Sequence, residues 1–118
     1  MSELWKRNIN GTEVLFVNSS RNTRSGFAHD TEVFIDGWKY GSNTCHYLNR
    51  TWECYRYQTV MRGCIWNLIE SRKERLKEEF KGRHGYEKLT EKRKGEFEAE
   101  ISNDKDLELY NAILEELR

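Results

Sequence analysis

The stretch TEVFIDGWKYGSNTCHYL, residues 31–48, decides the reading of the fold. TEVFI is a compact β-branched and aromatic run of the kind that forms strands. Asp36-Gly37 separates it from WKYGSNTCHYL. A two-residue Asp-Gly between such runs marks a β-hairpin, because a type I′ turn needs positive φ at both central positions. EVLFV, residues 13–17, has the same strand character. The pattern predicts three antiparallel strands near 12–18, 26–36 and 38–48. The connection SSRNTRSG, residues 19–26, is polar, carries Arg21 and Arg24, and reads as an exposed loop.

From about Gln58 the period changes. Val60, Met61, Cys64, Ile65, Leu68, Ile69, Leu76 and Phe80 recur at helical spacing and form one apolar stripe. If the stripe is core, Leu68→Ala is expected to cost roughly 2–5 kcal/mol. Gly63 interrupts the stripe at a cost of about 1 kcal/mol relative to alanine, which predicts close approach of the sheet there. Gly82 and Gly85 suit a left-handed helix end. Thr90 is placed to cap a helix carrying Phe97 and Ile101, and SND, residues 102–104, supplies a break and the next cap. Leu107, Tyr110, Leu114 and Leu117 then make a narrow apolar seam, suited to the long helix or to a homodimer. The expectation is a single α+β domain, 1–118. A three-stranded antiparallel sheet (1–57) packs on a long amphipathic helix, followed by two C-terminal helices (58–118).

The 118 residues fit one domain by the prior of roughly 100–200 residues each. Twenty basic and twenty acidic residues give zero formal net charge, which argues against a strongly basic nucleic-acid binder or a wholly acidic DNA mimic. The halves differ, however. Residues 61–94 hold eleven basic against six acidic groups, while 95–118 hold eight acids against Lys105 and Arg118. No apolar run reaches the roughly 18–20 residues of a membrane span, and MSELWKRNIN lacks a signal-peptide core. Cys45, Cys54 and Cys64 are odd in number and form no CxxC pair. These features predict a reduced, cytoplasmic protein without membrane attachment.

No motif carries catalysis. The cysteine spacings fit no common zinc pattern with His29, His46 or His84, so neither metal nor cofactor is expected. His29-Asp30 lacks the further ligands of a metal-dependent phosphohydrolase, and the adjacent Cys45 and His46 would point to opposite faces of a strand. Walker-type and GxGxxG loops are absent. RSGFAHD departs from the RNA-binding RNP1 pattern at His29 and Asp30. The expectation is a non-enzyme. A nucleic-acid-binding sheet would use Arg21, Arg24, Lys39, Arg50 and Arg56 on phosphates. For a protein partner, Arg21, Arg24, Trp38, Tyr40, Arg50, Trp52 and Arg56 are the anchor types.

YLNRTWECYRYQTVMRGCIWNLI, residues 47–69, resembles small accessory proteins carried by phages and mobile elements of Gram-positive bacteria. Its YLNRTWE-x-Y-x-YQ-V core runs directly into an amphipathic helix. That group includes anti-CRISPR inhibitors of Cas9. The resemblance implies a phage-encoded inhibitor in a bacterial host cell, binding a Cas9-type nuclease or its guide RNA and blocking DNA binding or cleavage. An interface of this kind buries about 1,200–2,000 Å². Glu96, Glu98, Glu100, Asp104, Asp106 and Glu108 would mimic DNA if they shared one face. The alternatives are a nucleic-acid-binding phage regulator and an assembly protein that dimerises through the C-terminal seam.

Overall fold

The computed structural model describes residues 2–24, 26–47, 54–85 and 90–118, and among these every side chain except those of 27, 45–47 and 54–57. Among these described residues four strands, β1 (Ser2–Ile9), β2 (Thr12–Thr23), β3 (Gly26–Ile35) and β4 (Trp38–Tyr47), precede three helices, α1 (Cys54–His84), α2 (Glu91–Asn103) and α3 (Lys105–Glu116). The strands form one antiparallel meander in chain order. The α+β class is as expected, but the sheet has four strands where three were expected.

The extra strand is β1, joined to β2 through Asn10-Gly11. Asn10 and Gly11 adopt φ of 52° and 85°, and Asp36 and Gly37 adopt 49° and 83°, so both turns have the primed form. Asn-Gly is as good a hairpin signal as Asp-Gly. β1 escapes pattern reading because SELWKRNI is an edge strand in which only Ile9 is buried. Asp36 also ties the two hairpins together. Its N–H donates to the Glu13 carbonyl at 2.9 Å, and its carboxylate accepts from the Glu13 N–H at 2.9 Å.

The expected loop at 19–26 is instead mostly strand, with Ser19 to Thr23 in register with Asp30 to Gly26. Polar side chains continue the ladder because they find polar partners across it. Ser20 Oγ lies 2.8 Å from His29 Nδ1, and Arg21 donates to Asp30 at 3.0 Å. α1 likewise starts at Cys54, ahead of Gln58.

Directly opposed residues in an antiparallel pair share a face. Trp5, Phe16, Val33 and Gly41 therefore form one row across the sheet, and Arg7, Val14, Ile35 and Trp38 the next. This face meets α1, which lies on β3 and β4, while α3 packs beside α1 and reaches β1. Val14, Phe16, Val33 and Ile35 join Met61, Cys64, Ile65, Ile69 and Leu76 of α1, Leu107, Tyr110 and Ile113 of α3, and its capping residue Leu117 in one core. The C-terminal seam is thus spent inside the chain. It runs through Ile113, with Leu114 only half-buried, because α3 turns both its i+3 and i+4 positions towards α1 and β1.

The expected caps are present. Thr90 Oγ1 accepts from the Arg93 N–H at 3.3 Å, and an Asp104 carboxylate oxygen accepts from the Leu107 N–H at 3.1 Å. Gly63 does admit the sheet, through a side chain. A Cβ there would stand 2.2 Å from Asn43 Nδ2, which donates to the Val60 carbonyl at 3.3 Å. Gly63→Ala gains about 1 kcal/mol of helix propensity and loses a hydrogen bond worth about 1 kcal/mol, so stability should scarcely change. In an Asn43→Ala background the same substitution should stabilise by about 1 kcal/mol. Equal effects in both backgrounds, read by urea denaturation, would refute this steric account.

Candidate functional site

Both edge strands carry a bulge, in β1 between Glu3 and Trp5 and in the β3–β4 ladder between Val33 and Phe34. The second inserts Tyr40 between Lys39 and Gly41. Bulges at sheet edges re-aim side chains and blunt pairing with other chains. Tyr40 comes to line an open groove of about 270 Å³ with Leu68, Ser71, Arg72 and Arg75 of α1 and Asp106 and Tyr110 of α3. Trp38 shares the helix-side face with Val14 and Ile35, yet no helix covers it. It is 76% exposed and Tyr40 49% exposed. Two large aromatics held open at one end of a rigid sheet make this the candidate docking site.

The remaining expected site residues are dispersed. Arg50 and Trp52 lie outside the described residues, as does the Arg56 side chain. Arg21 sits on the sheet face away from the helices, salt-bridged to Asp30, and Arg24 is exposed at the β2–β3 turn. On the same outer face Lys6 pairs with Glu13 at 3.6 Å and Lys39 with Glu32 at 3.5 Å. Of the cations that would meet a phosphate backbone, Arg21 and Lys39 thus already have carboxylate neighbours.

The acidic residues do not gather into one face either. Arg72 holds Asp104 through two hydrogen bonds, of 2.8 and 3.1 Å, and Asp106 at 3.6 Å. Arg83 holds Glu100 at 2.7 Å, and Arg93 holds Glu96 at 2.8 Å. Glu98 and Glu108 are exposed. The hydrogen bond from Arg72 keeps the Asp104 carboxyl below its ordinary range, and that from Arg83 does the same for Glu100. The two opposite charge blocks therefore partly neutralise each other between helices.

A third exposed aromatic, Trp66, lies beside Arg62, Leu114 and Arg118 between α1 and α3. Neither Arg75 nor the hydroxyls of Ser71 and Tyr110 had been singled out from the sequence. Only tertiary packing brings them to Tyr40, and the bulge, a one-residue insertion, leaves no periodic mark. Among the described residues no three His, Cys, Asp or Glu converge to hold a metal ion, and no helix is long and apolar enough to cross a membrane.

His29 lies buried on the helix-side face. Burial pushes its imidazole below the ordinary 6.5, and the neighbouring Asp30 offsets only part of this. The folded state therefore disfavours the charged ring. Stability is full above pH 6.5 and falls as the pH drops through the folded value, by at most about 1.4 kcal/mol per pH unit. His29→Gln should flatten the stability profile between pH 7.5 and 5. A profile unchanged from wild type would assign the slope elsewhere.

Comparison with protein-family models, curated proteins and solved structures finds no match.

Proposed function

We propose that the chain is a non-enzymatic binding protein that docks onto a protein partner through the Trp38–Tyr40 end of its sheet. The partner class is the one its resemblance implies, a Cas9-type nuclease whose DNA binding or cleavage it blocks. The exposed aromatic pair supports this reading. Tryptophan, tyrosine and arginine dominate the energetic centres of protein interfaces. A tryptophan 76% exposed forgoes the gain of burial, and a partner would restore it. The self-paired cations of the outer sheet face make a nucleic-acid backbone the poorer fit. Asp104 and Glu100, tied to α1, make an acidic DNA mimic the poorer mechanism.

The test is co-purification with several Cas9-type nucleases, with and without guide RNA, alongside a DNA-cleavage assay. The wild-type chain should form a complex and suppress cleavage. Trp38→Ala should weaken the complex by about tenfold or more while leaving the melting temperature unchanged, since the side chain is exposed. Full cleavage and no complex across the orthologues would sink the nuclease as partner. Steeply salt-dependent DNA or RNA binding that ignores Trp38→Ala would favour the nucleic-acid reading instead.

A further inference from the structure

We infer that the partner segment docking at the Trp38–Tyr40 end carries a carboxylate beside its apolar anchor, and that Arg75 receives it. This rests on the docking reading above and adds the chemistry of the partner. The groove beside Tyr40 holds two guanidinium groups of different standing. Arg72 is committed within the chain, bound twice to Asp104 and close to Asp106. Arg75 is 73% exposed, and its Nε lies 3.6 Å from Glu79, which is also exposed and one turn along the same helix. Such a pair is among the weakest ion pairs, so Arg75 is released at little cost.

A carboxylate arriving from a partner would meet Arg75 in a fork geometry, at an open groove lined by Tyr40, Leu68 and Tyr110 that the docked partner would cover. Charge-assisted, bidentate contacts are the strong class of hydrogen bond, and they strengthen where solvent is excluded. Ser71 supplies a hydroxyl donor on the same wall. Asp106, half-exposed at the rim, repels a second negative charge. One weakly paired cation beside one fixed acid suits a single carboxylate rather than a chain of phosphates. Trp38 and Tyr40 suit the apolar residue next to it.

A phage-displayed library of random 12-residue peptides, panned on the intact chain, tests this, with selected peptides measured by fluorescence polarisation. Enriched peptides should carry Asp or Glu beside an apolar residue. Their affinity should fall by about tenfold or more in Arg75→Gln, as for loss of a charge-assisted contact. Arg75→Glu should reject them and accept versions with Lys in place of the acid, a swap that a structural role for Arg75 would not produce. Peptides that need Trp38 but show neither acidic bias nor dependence on Arg75 would overturn the inference and leave the docking reading standing. No enrichment, or binding indifferent to both Trp38→Ala and Tyr40→Ala, would overturn both. A single-stranded DNA oligonucleotide bound in an Arg75-dependent way, in place of peptides, would overturn the assignment to a protein segment.

Discussion

Phe16→Ala should cost about 3–5 kcal/mol, a large part of the 5–15 kcal/mol that holds a domain of this kind together. Phe16 is fully buried in β2, one of the two inner strands, and every neighbour is fixed by register. Trp5 of β1 meets its ring edge-on at 5.6 Å, and Val33 of β3 lies opposite. Truncation removes an aromatic from the middle of the core row and leaves a cavity that rigid strands on both sides cannot close. The cost should therefore sit at the upper end for such a change. Leu68→Ala should cost only about 1–2 kcal/mol, because Leu68 is half-buried and loses less area. That lowers the figure expected if Leu68 belonged to the inner stripe. Urea denaturation of both variants checks the ranking, and a Phe16→Ala loss no larger than that of Leu68→Ala would mean the core is centred elsewhere.

That contrast shows what the residues made legible. Apolar periodicity identified α1 and its buried stripe, and Thr90 and Asp104 announced their caps through side chains that can accept from the next turn. Asp36-Gly37 announced its hairpin because few dipeptides tolerate positive φ at both positions. Asn10-Gly11 carried the same information but stood beside a strand too polar to attract notice. An edge strand buries little, so its composition hardly differs from that of a loop. Ser19 to Thr23 misled for a related reason, since their partners are cross-strand polar groups that no local pattern reveals. The candidate docking site was half legible. Trp38 and Tyr40 stood out as anchor types, whereas Arg75 and Tyr110 join Tyr40 in the groove only through tertiary packing.

Charge segregation along the chain was equally visible, but its meaning depended on folding. Blocks of opposite sign can steer a partner or bind one another. In this fold α2 and α3 bring acids back onto α1, so Arg72 and Arg83 take Asp104 and Glu100. The block that looked like a surface for a partner is partly a fastening for the helical layer. Zero net charge is thus reflected locally, pair by pair. Arg75 remains the groove's more available cation because the carboxylate it pairs with is an exposed neighbour on its own helix.

Asp104→Ala should cost about 2–4 kcal/mol, because two side-chain duties meet in a residue whose backbone also closes α2. Its N–H donates to the Ile101 carbonyl and closes α2. Its carboxylate caps α3 through the Leu107 N–H and receives both donors of Arg72 from α1. Losing the cap costs about 1 kcal/mol, and losing charge-assisted bonds in a pair only 25% and 11% exposed costs about 1.5–3 kcal/mol. Arg72→Ala keeps the cap and should cost less. The double variant should fall short of the sum by about 0.5–3 kcal/mol, the coupling of a shared pair. Asp104→Asn keeps a capping oxygen and removes the charge, so it should lie between wild type and Asp104→Ala. The pH response gives an independent check. The Arg72 hydrogen bond holds the Asp104 carboxyl below its ordinary 3.8, so its contribution is present above that value and fades as the pH falls through the lower, folded one. The stability gap between wild type and Asp104→Asn should therefore be constant near neutrality and narrow below about pH 4. A gap that persists undiminished in acid would mean that the charge of Asp104 is not what binds the three helices together.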